Sequence, residues 1–155
     1  MKLLFLSLSL FLVVSAIAQE PAQAPDLSPA ERQFQDSMID VVLDGYSLID
    51  GSSDLHEDHY AIERVSKVAD DTWKFQAKVR VNDRDVRVTI PIPVKFAGDT
   101  AVISLTNFMV PGFGKFSARI MFWDGGYAGT WTNGKTHGKL FGKVNSNPAS
   151  QAPAP

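Results

Sequence analysis

The clearest pattern in the chain is an alternation of apolar and polar residues over positions 73–81. The apolar positions are Trp73, Phe75, Ala77, Val79 and Val81, and the residues between them are polar or charged. Because successive side chains of a strand point to opposite faces, this pattern predicts a strand with one buried face and one solvated face. Asn82-Asp83 follows as a turn, and apolar residues alternate again from Val86 to Ile92, which predicts a hairpin.

Two prolines limit the second strand of this hairpin. Pro91 and Pro93 have no backbone donor, so the sequence predicts a sheet edge, a bulge or a chain exit there.

Further strand patterns follow at even spacing, separated by short turns that are rich in glycine and aspartate. They cover residues 45–49, 59–65, 100–108, 115–123, 127–131 and 139–144. Short turns favour antiparallel pairing of sequential strands. The sequence therefore predicts a mainly β fold, an antiparallel up-and-down meander of eight strands that forms a barrel or half-barrel. The alternative is an open, curved sheet with a helix on one side.

A helix is predicted before the first strand. Ser28, Pro29 and Glu31 suit an N-cap, a first helical position and a capping box. Apolar residues then recur at helical spacing, at Phe34, Met38, Ile39 and Val42. Gly45 is interpreted as the change from helix to strand or as a bend within the first strand.

The first 18 residues have the pattern of a secretory signal peptide. Lys2 precedes an apolar run from Leu3 to Ile17, and Ala16-Ile17-Ala18 fits a cleavage site before Gln19. The run is shorter than the roughly 20 residues of a spanning helix, and no cysteine is present to carry a lipid. We expect an exported protein, secreted or periplasmic, without a transmembrane anchor. Residues 19–27 are interpreted as a disordered linker, 28–144 as one domain and 145–155 as a disordered tail rich in proline and alanine.

Composition narrows the function classes. Fifteen basic residues against 17 acidic residues give a net charge of −2, whereas a nucleic-acid-binding protein normally carries a basic stripe. We therefore expect no nucleic-acid partner. The absence of cysteine excludes a disulfide scaffold, so packing and backbone pairing must stabilise the fold.

The densest motif lies near the end of the chain, where glycines and aromatic residues interleave. Tyr127, Gly129, Trp131 and Phe141 are candidates for the wall of a pocket for an apolar ligand. The alternative is structural, because glycine in a strand often marks a bulge or a close packing contact.

Catalytic and metal-binding signals are sparse. His56 and His59 lie among Asp54, Glu57 and Asp58 and are candidate metal ligands, although an exposed acidic loop has the same composition. The known nucleophile, phosphate-loop and zinc-helix motifs are absent, and no catalytic residue or cofactor is predicted. A small hydrolase or a metal-binding protein, with a site assembled from distant Asp, Glu and His residues, remains the alternative function.

Six segments together resemble a family of small uncharacterised secreted proteins of planctomycete-type bacteria. They are residues 86–93, 96–100 (FAGDT), 110–114 (VPGFG), 118–119, 127–131 (YAGTW) and 137–142 (HGKLFG). This resemblance implies a relationship and no mechanism. The plan of a helix and a meander is also similar to lipocalin-like (calycin) barrels. Lipocalins carry Gly-x-Trp on the first strand, whereas Gly129-Thr130-Trp131 lies near the end of this chain, so no ligand-binding residues carry over.

The sequence thus predicts an exported, non-catalytic barrel with a structural or interaction role, whose expected partner is a small apolar ligand or a cell-surface partner. An interior cavity of at least ~300 Å³ lined by aromatic rings would favour the ligand. A packed interior would favour the structural role.

Overall fold

The computed structural model describes residues 25–81, 84–110 and 114–148. Within them, helix α1 (Pro29–Ser37) precedes eight strands that close into an antiparallel up-and-down barrel. The strands are β1 (Val41–Ile49), β2 (Leu55–Ala69), β3 (Thr72–Val81), β4 (Arg84–Ala97), β5 (Thr100–Val110), β6 (Gly114–Trp123), β7 (Gly126–Thr132) and β8 (His137–Ser146). This confirms the predicted fold class and selects the closed barrel over the open sheet.

Helix α1 begins as the sequence predicts and ends earlier. The Ser28 hydroxyl accepts from the Glu31 amide, and the Glu31 carboxylate accepts from the Ser28 amide at 2.8 Å, which completes a capping box. The helix ends at Ser37, and Asp40 has a positive φ of 48°. The chain therefore turns before Val42, which lies in β1, and the helical spacing of Val42 was coincidental.

The helix closes one end of the barrel. Phe34 is buried and its ring centroid lies 5.5 Å from that of Trp73 and 5.8 Å from that of Phe122. The Lys67 ammonium of β2 binds the Glu31 carboxylate at 2.5 Å, which fixes the helix against the barrel rim. Edge-to-face ring contacts and this ion pair hold α1 over the core.

The strand alternation determines which residues fill the interior. Val41 and Leu43 of β1, Trp73 and Phe75 of β3 and Tyr127 of β7 belong to the buried cluster. Trp73 is completely buried, which confirms the face predicted for it. Side chains at the intervening positions point outward.

The two prolines lie where β4 has a partner on only one side. Pro91 pairs with Lys74 and Pro93 with Thr72 of β3, whereas pairing with β5 begins only at Val94. Because proline cannot donate to a ladder, it fits a stretch with one free side. The predicted edge is therefore a local one, within a closed barrel.

Several strand boundaries in the structure differ from the predicted ones. β2 begins at Leu55, so residues 56–59 lie in a strand and not in a loop. β8 extends to Ser146, two residues into the predicted tail. The predicted signal peptide and most of the linker and tail lie outside the described residues. No helix in the described part of the chain is long and apolar enough to cross a membrane.

Candidate functional site

Two neighbouring rows of outward side chains form an apolar trough on the outer wall of the barrel. In the first row Tyr46 of β1 pairs with Phe141 of β8, Phe141 with Ala128 of β7, and Ala128 with Met121 of β6. In the second row, two residues along each strand, the order is Asp44, Lys143, Gly126 and Trp123. We call this surface the outer trough.

The shape of the outer trough follows from the size of the β7 residues. Gly126 and Ala128 form a low floor along β7. Met121 and Trp123 form one wall, and Phe141 and Tyr46 form the other, with their ring centroids 6.2 Å apart. The groove has a volume of about 470 Å³. Small residues between rows of large ones thus create a groove that runs along the strands.

The walls of the outer trough are exposed to an unusual degree for large apolar groups. Trp123 is 61% exposed, Met121 49% and Phe141 45%. By contrast, the outward-facing residues of β3 are Lys74, Gln76 and Lys78. Contiguous exposed apolar groups on one side of a protein mark an interaction surface.

Charge is present at one edge of the outer trough. Asp44 and Lys143 are cross-strand neighbours, and Asp44 lies 3.7 Å from the imidazole of His59. Among the described residues, Lys143 forms no salt bridge. The second row therefore offers a free ammonium group next to the apolar floor.

The inner side of the same wall is filled by Tyr127. Its ring lies over the paired glycines Gly45 and Gly142, and a Cβ on Gly142 would lie 2.7 Å from a ring carbon. The hydroxyl is buried and forms no hydrogen bond with a described residue. Burial, followed by the charges of Asp58 and Asp44, raises the pKa of Tyr127 to about 12. The phenol is therefore neutral across the physiological range.

Asp58 and Tyr60 of β2 lie close to Tyr127, and Tyr60 is 42% exposed. They pair with Gly45 and Leu43 of β1, whose side of the strand is the inner one. Partial burial and the neighbouring Asp58 carboxylate raise the pKa of Tyr60 to about 12. The charge of Asp58 therefore acts on both phenols.

The predicted ligand-binding residues do not converge. Tyr127, Gly129 and Trp131 alternate along β7 on its inner face, whereas Phe141 pairs with Ala128 and faces outward. A Cβ on Gly129 would lie within 3.0 Å of backbone atoms of Arg119 and Ile120 of β6. The space at Gly129 is therefore taken by the neighbouring strand, as in the structural alternative.

The predicted metal ligands also lie apart. His56 pairs with Ser47 and His59 with Asp44, so the two imidazoles lie on opposite faces of β2. In the described parts of the chain, no group of three or more His, Asp or Glu side chains could hold a metal ion.

A second cleft, of about 520 Å³, lies between α1 and the β6–β7 turn at the closed end. Phe34, Met38 and Phe122 form its apolar part, and Asp99 and Asp124 lie at its rim. Trp123 and Gly126 line both this end cleft and the outer trough. Neither cavity includes Trp73 or Phe75, because the helix fills the interior beside them.

Sequence reasoning missed Tyr46, Met121 and Trp123. Met121 and Trp123 occupy the outward phase of β6, and this large apolar content on the predicted wet face was the available signal. Tyr46 gave no such signal, because its pairing with Phe141 joins the first strand to the last.

Comparisons with known proteins do not assign a family. The chain matches no protein-family model, and it shows no significant similarity to a curated protein or a solved structure.

Proposed function

We propose that this protein is an exported, non-catalytic interaction domain, and that its outer trough binds an extended peptide segment containing proline and alanine. The observation that carries the proposal is the continuous exposed apolar surface across four strands, from Tyr46 to Met121. A packed aromatic interior supports the same assignment, since it leaves the outer wall as the recognition surface.

The chemistry of the trough fits an extended chain with little side-chain bulk. Its floor consists of Gly126 and Ala128, so a backbone can approach closely, and aromatic rings stand on both sides. Proline-containing segments adopt a preformed extended helix and dock between exposed aromatic rings. Because such a segment is already ordered, little conformational entropy is lost on binding.

The test is a titration of the full chain with a short synthetic peptide of Ala-Pro repeats, followed by amide chemical shifts. We expect saturable shifts at Gly126, Ala128 and Lys143, and weaker shifts with a peptide of Ala-Gly repeats. Trp123→Ser and Phe141→Ser should each weaken binding about tenfold, because each removes an aromatic anchor worth about 1.4 kcal/mol.

A matched control is Val68→Ser, which changes an apolar side chain that is 53% exposed on β2, away from the outer trough. It should leave binding unchanged. Two results would contradict the proposal. One is peptide-induced chemical shift changes that are the same in Trp123→Ser and Phe141→Ser as in the wild type, and the other is changes that centre on another surface.

A second candidate function is binding of a small apolar ligand in the end cleft. Its volume of about 520 Å³ lies in the range of ligand pockets. Titration with an apolar fluorescent probe tests it. Ala101→Leu should abolish a signal that arises in the cleft, because Ala101 is buried in its lining, whereas binding that survives this change lies elsewhere.

Export is part of the proposal and rests on the pattern of the first 18 residues. Mass analysis of protein isolated from a secreting host should find Gln19 as the first residue. A chain that retains Met1 would contradict export by cleavage.

A further inference from the structure

The outer trough lies close to the point where the C-terminal segment leaves the barrel. β8 ends at Ser146, and the Asn147 amide donates to the Asp40 carbonyl at 2.8 Å, next to the start of β1. Lys143, in the second row of the trough, lies four residues before Asn147. At about 3.3 Å per residue, this is a distance of roughly 13 Å along the strand.

The segment that follows has the composition the trough is proposed to bind. Residues 148–155 read PASQAPAP, with Pro153 preceded by Gln151 and Ala152. In an extended proline-type helix, residues 149–155 span about 22 Å at about 3.1 Å per residue. A chain that turned back at Pro148 would therefore bring residues 151–153 to the level of Gly126 and Trp123.

The path back passes a cleft with both apolar and polar side chains. The end cleft, lined by Val144 and Gly125 near the exit point, joins the outer trough at Trp123 and Gly126. The other flank of the exit is different. There the Asp40 amide donates to the carbonyl of Glu63, in the middle of β2, and the Glu63 carboxylate binds Lys78 and Arg87. A segment without charged residues, such as 148–155, meets the apolar outer trough on the β7 side and an ion-pair cluster on the β2 side.

We infer that residues 150–153 of this chain occupy its own outer trough and compete there with partner peptides. This inference rests on the proposed function of the trough. An intramolecular occupant reduces the apparent affinity for a partner by the fraction of time for which it fills the site.

The first test uses a spin label at position 150. The chain has no cysteine, so Ser150→Cys provides a single attachment site in the full protein. We expect the label to broaden amide signals of Gly126, Ala128 and Phe141 much more than those of Ala61 and Glu63, which flank the same exit on β2. Trp123→Ser in the labelled chain should remove this difference.

Three outcomes would overturn the inference. Equal broadening on both flanks would show that the segment has no preferred site. Isotope-labelled chains without a spin label can also be mixed with spin-labelled chains. Broadening of their signals in this mixture would show that the occupant comes from a second copy. The same pattern from a label at Ala22→Cys, with none from position 150, would assign the trough to the Gln23-Ala24-Pro25 segment instead.

The second test separates this inference from the proposed function. Pro153→Gly should increase the affinity of the full chain for the Ala-Pro peptide several-fold, because it weakens the internal competitor. Unchanged affinity, with normal peptide binding, would reject the internal competitor and retain the trough as a peptide site. Failure of the peptide to bind the Pro153→Gly chain as well would reject the proposed function.

Discussion

The Tyr127 hydroxyl lies 2.7 Å from the point that a Cβ on Gly45 would occupy. Gly45 pairs with Gly142, and the ring of Tyr127 lies across both. Two glycines from the first and last strands thus make room for one ring from β7. This contact couples barrel closure to the inner packing directly behind the outer trough.

Gly45→Ala should destabilise the protein by about 1–3 kcal/mol, because the added methyl group overlaps Tyr127 and the Phe141 carbonyl. Chemical denaturation measures this change. Gly126→Ala is the matched control, since its Cβ would meet nothing closer than 3.5 Å, and its effect should stay within about 0.5 kcal/mol. Equal losses for the two variants would show that strand propensity, and not the Tyr127 contact, determines the effect.

Tyr127→Phe should raise the free energy of unfolding at neutral pH by about 1 kcal/mol. The hydroxyl is buried without a hydrogen-bond partner among the described residues, so its removal relieves a desolvation cost. Urea denaturation at pH 7 measures it. A stability loss above about 1 kcal/mol would instead show that the hydroxyl makes a favourable interaction.

Tyr127→Phe should also reduce the decrease in the free energy of unfolding with rising pH at alkaline pH. The pKa of Tyr127 is raised to about 12 from its ordinary value of 10.0, so between these values the unfolded phenol loses its proton first. The unfolded state is then favoured, and wild-type stability falls as the pH rises through this window. Tyr60 is shifted in the same direction, so Tyr127→Phe should remove only part of the decline. Identical alkaline slopes for the two proteins would contradict the shift at Tyr127.

The fold could be predicted because local alternation defines each strand. Residues 73–81 show their buried face in the sequence itself, and short turns determine the antiparallel order. The trough could not be predicted in the same way. Tyr46 and Phe141 become neighbours only when β1 pairs with β8, and no local pattern records that register.

The glycine-rich motif shows the same limit. Its aromatic residues look like one wall in the sequence, but Tyr127 lies inside the barrel and Phe141 outside it. A shift of one position in register reverses the face of every side chain on a strand. The motif therefore indicates residues near the outer trough, but it does not show on which face of the sheet each of them lies.

Trp73→Ala should cost about 3–5 kcal/mol in free energy of unfolding, since it removes a completely buried ring that packs on Phe34 and Phe96. Chemical denaturation followed by circular dichroism measures it. Trp123→Ala removes the same side chain from an exposed position and should cost no more than about 0.5 kcal/mol. Similar losses for the two variants would mean that Trp123 contributes as much to the folded core as Trp73 does.

Glu31→Gln should destabilise the protein by about 1 kcal/mol at neutral pH by removing the charge that binds Lys67. Glutamine keeps the capping box, so the change isolates the ion pair. The hydrogen bond with Lys67 holds the pKa of Glu31 below its ordinary value of 4.5. Because the folded state keeps this carboxylate ionised to lower pH than the unfolded state does, its contribution is fully present above 4.5 and is lost as the pH falls through the lower folded value. Denaturation of both proteins across this range should therefore show two curves that converge on the acid side. A gap that persists in strong acid would assign the effect to helix packing and not to the ion pair.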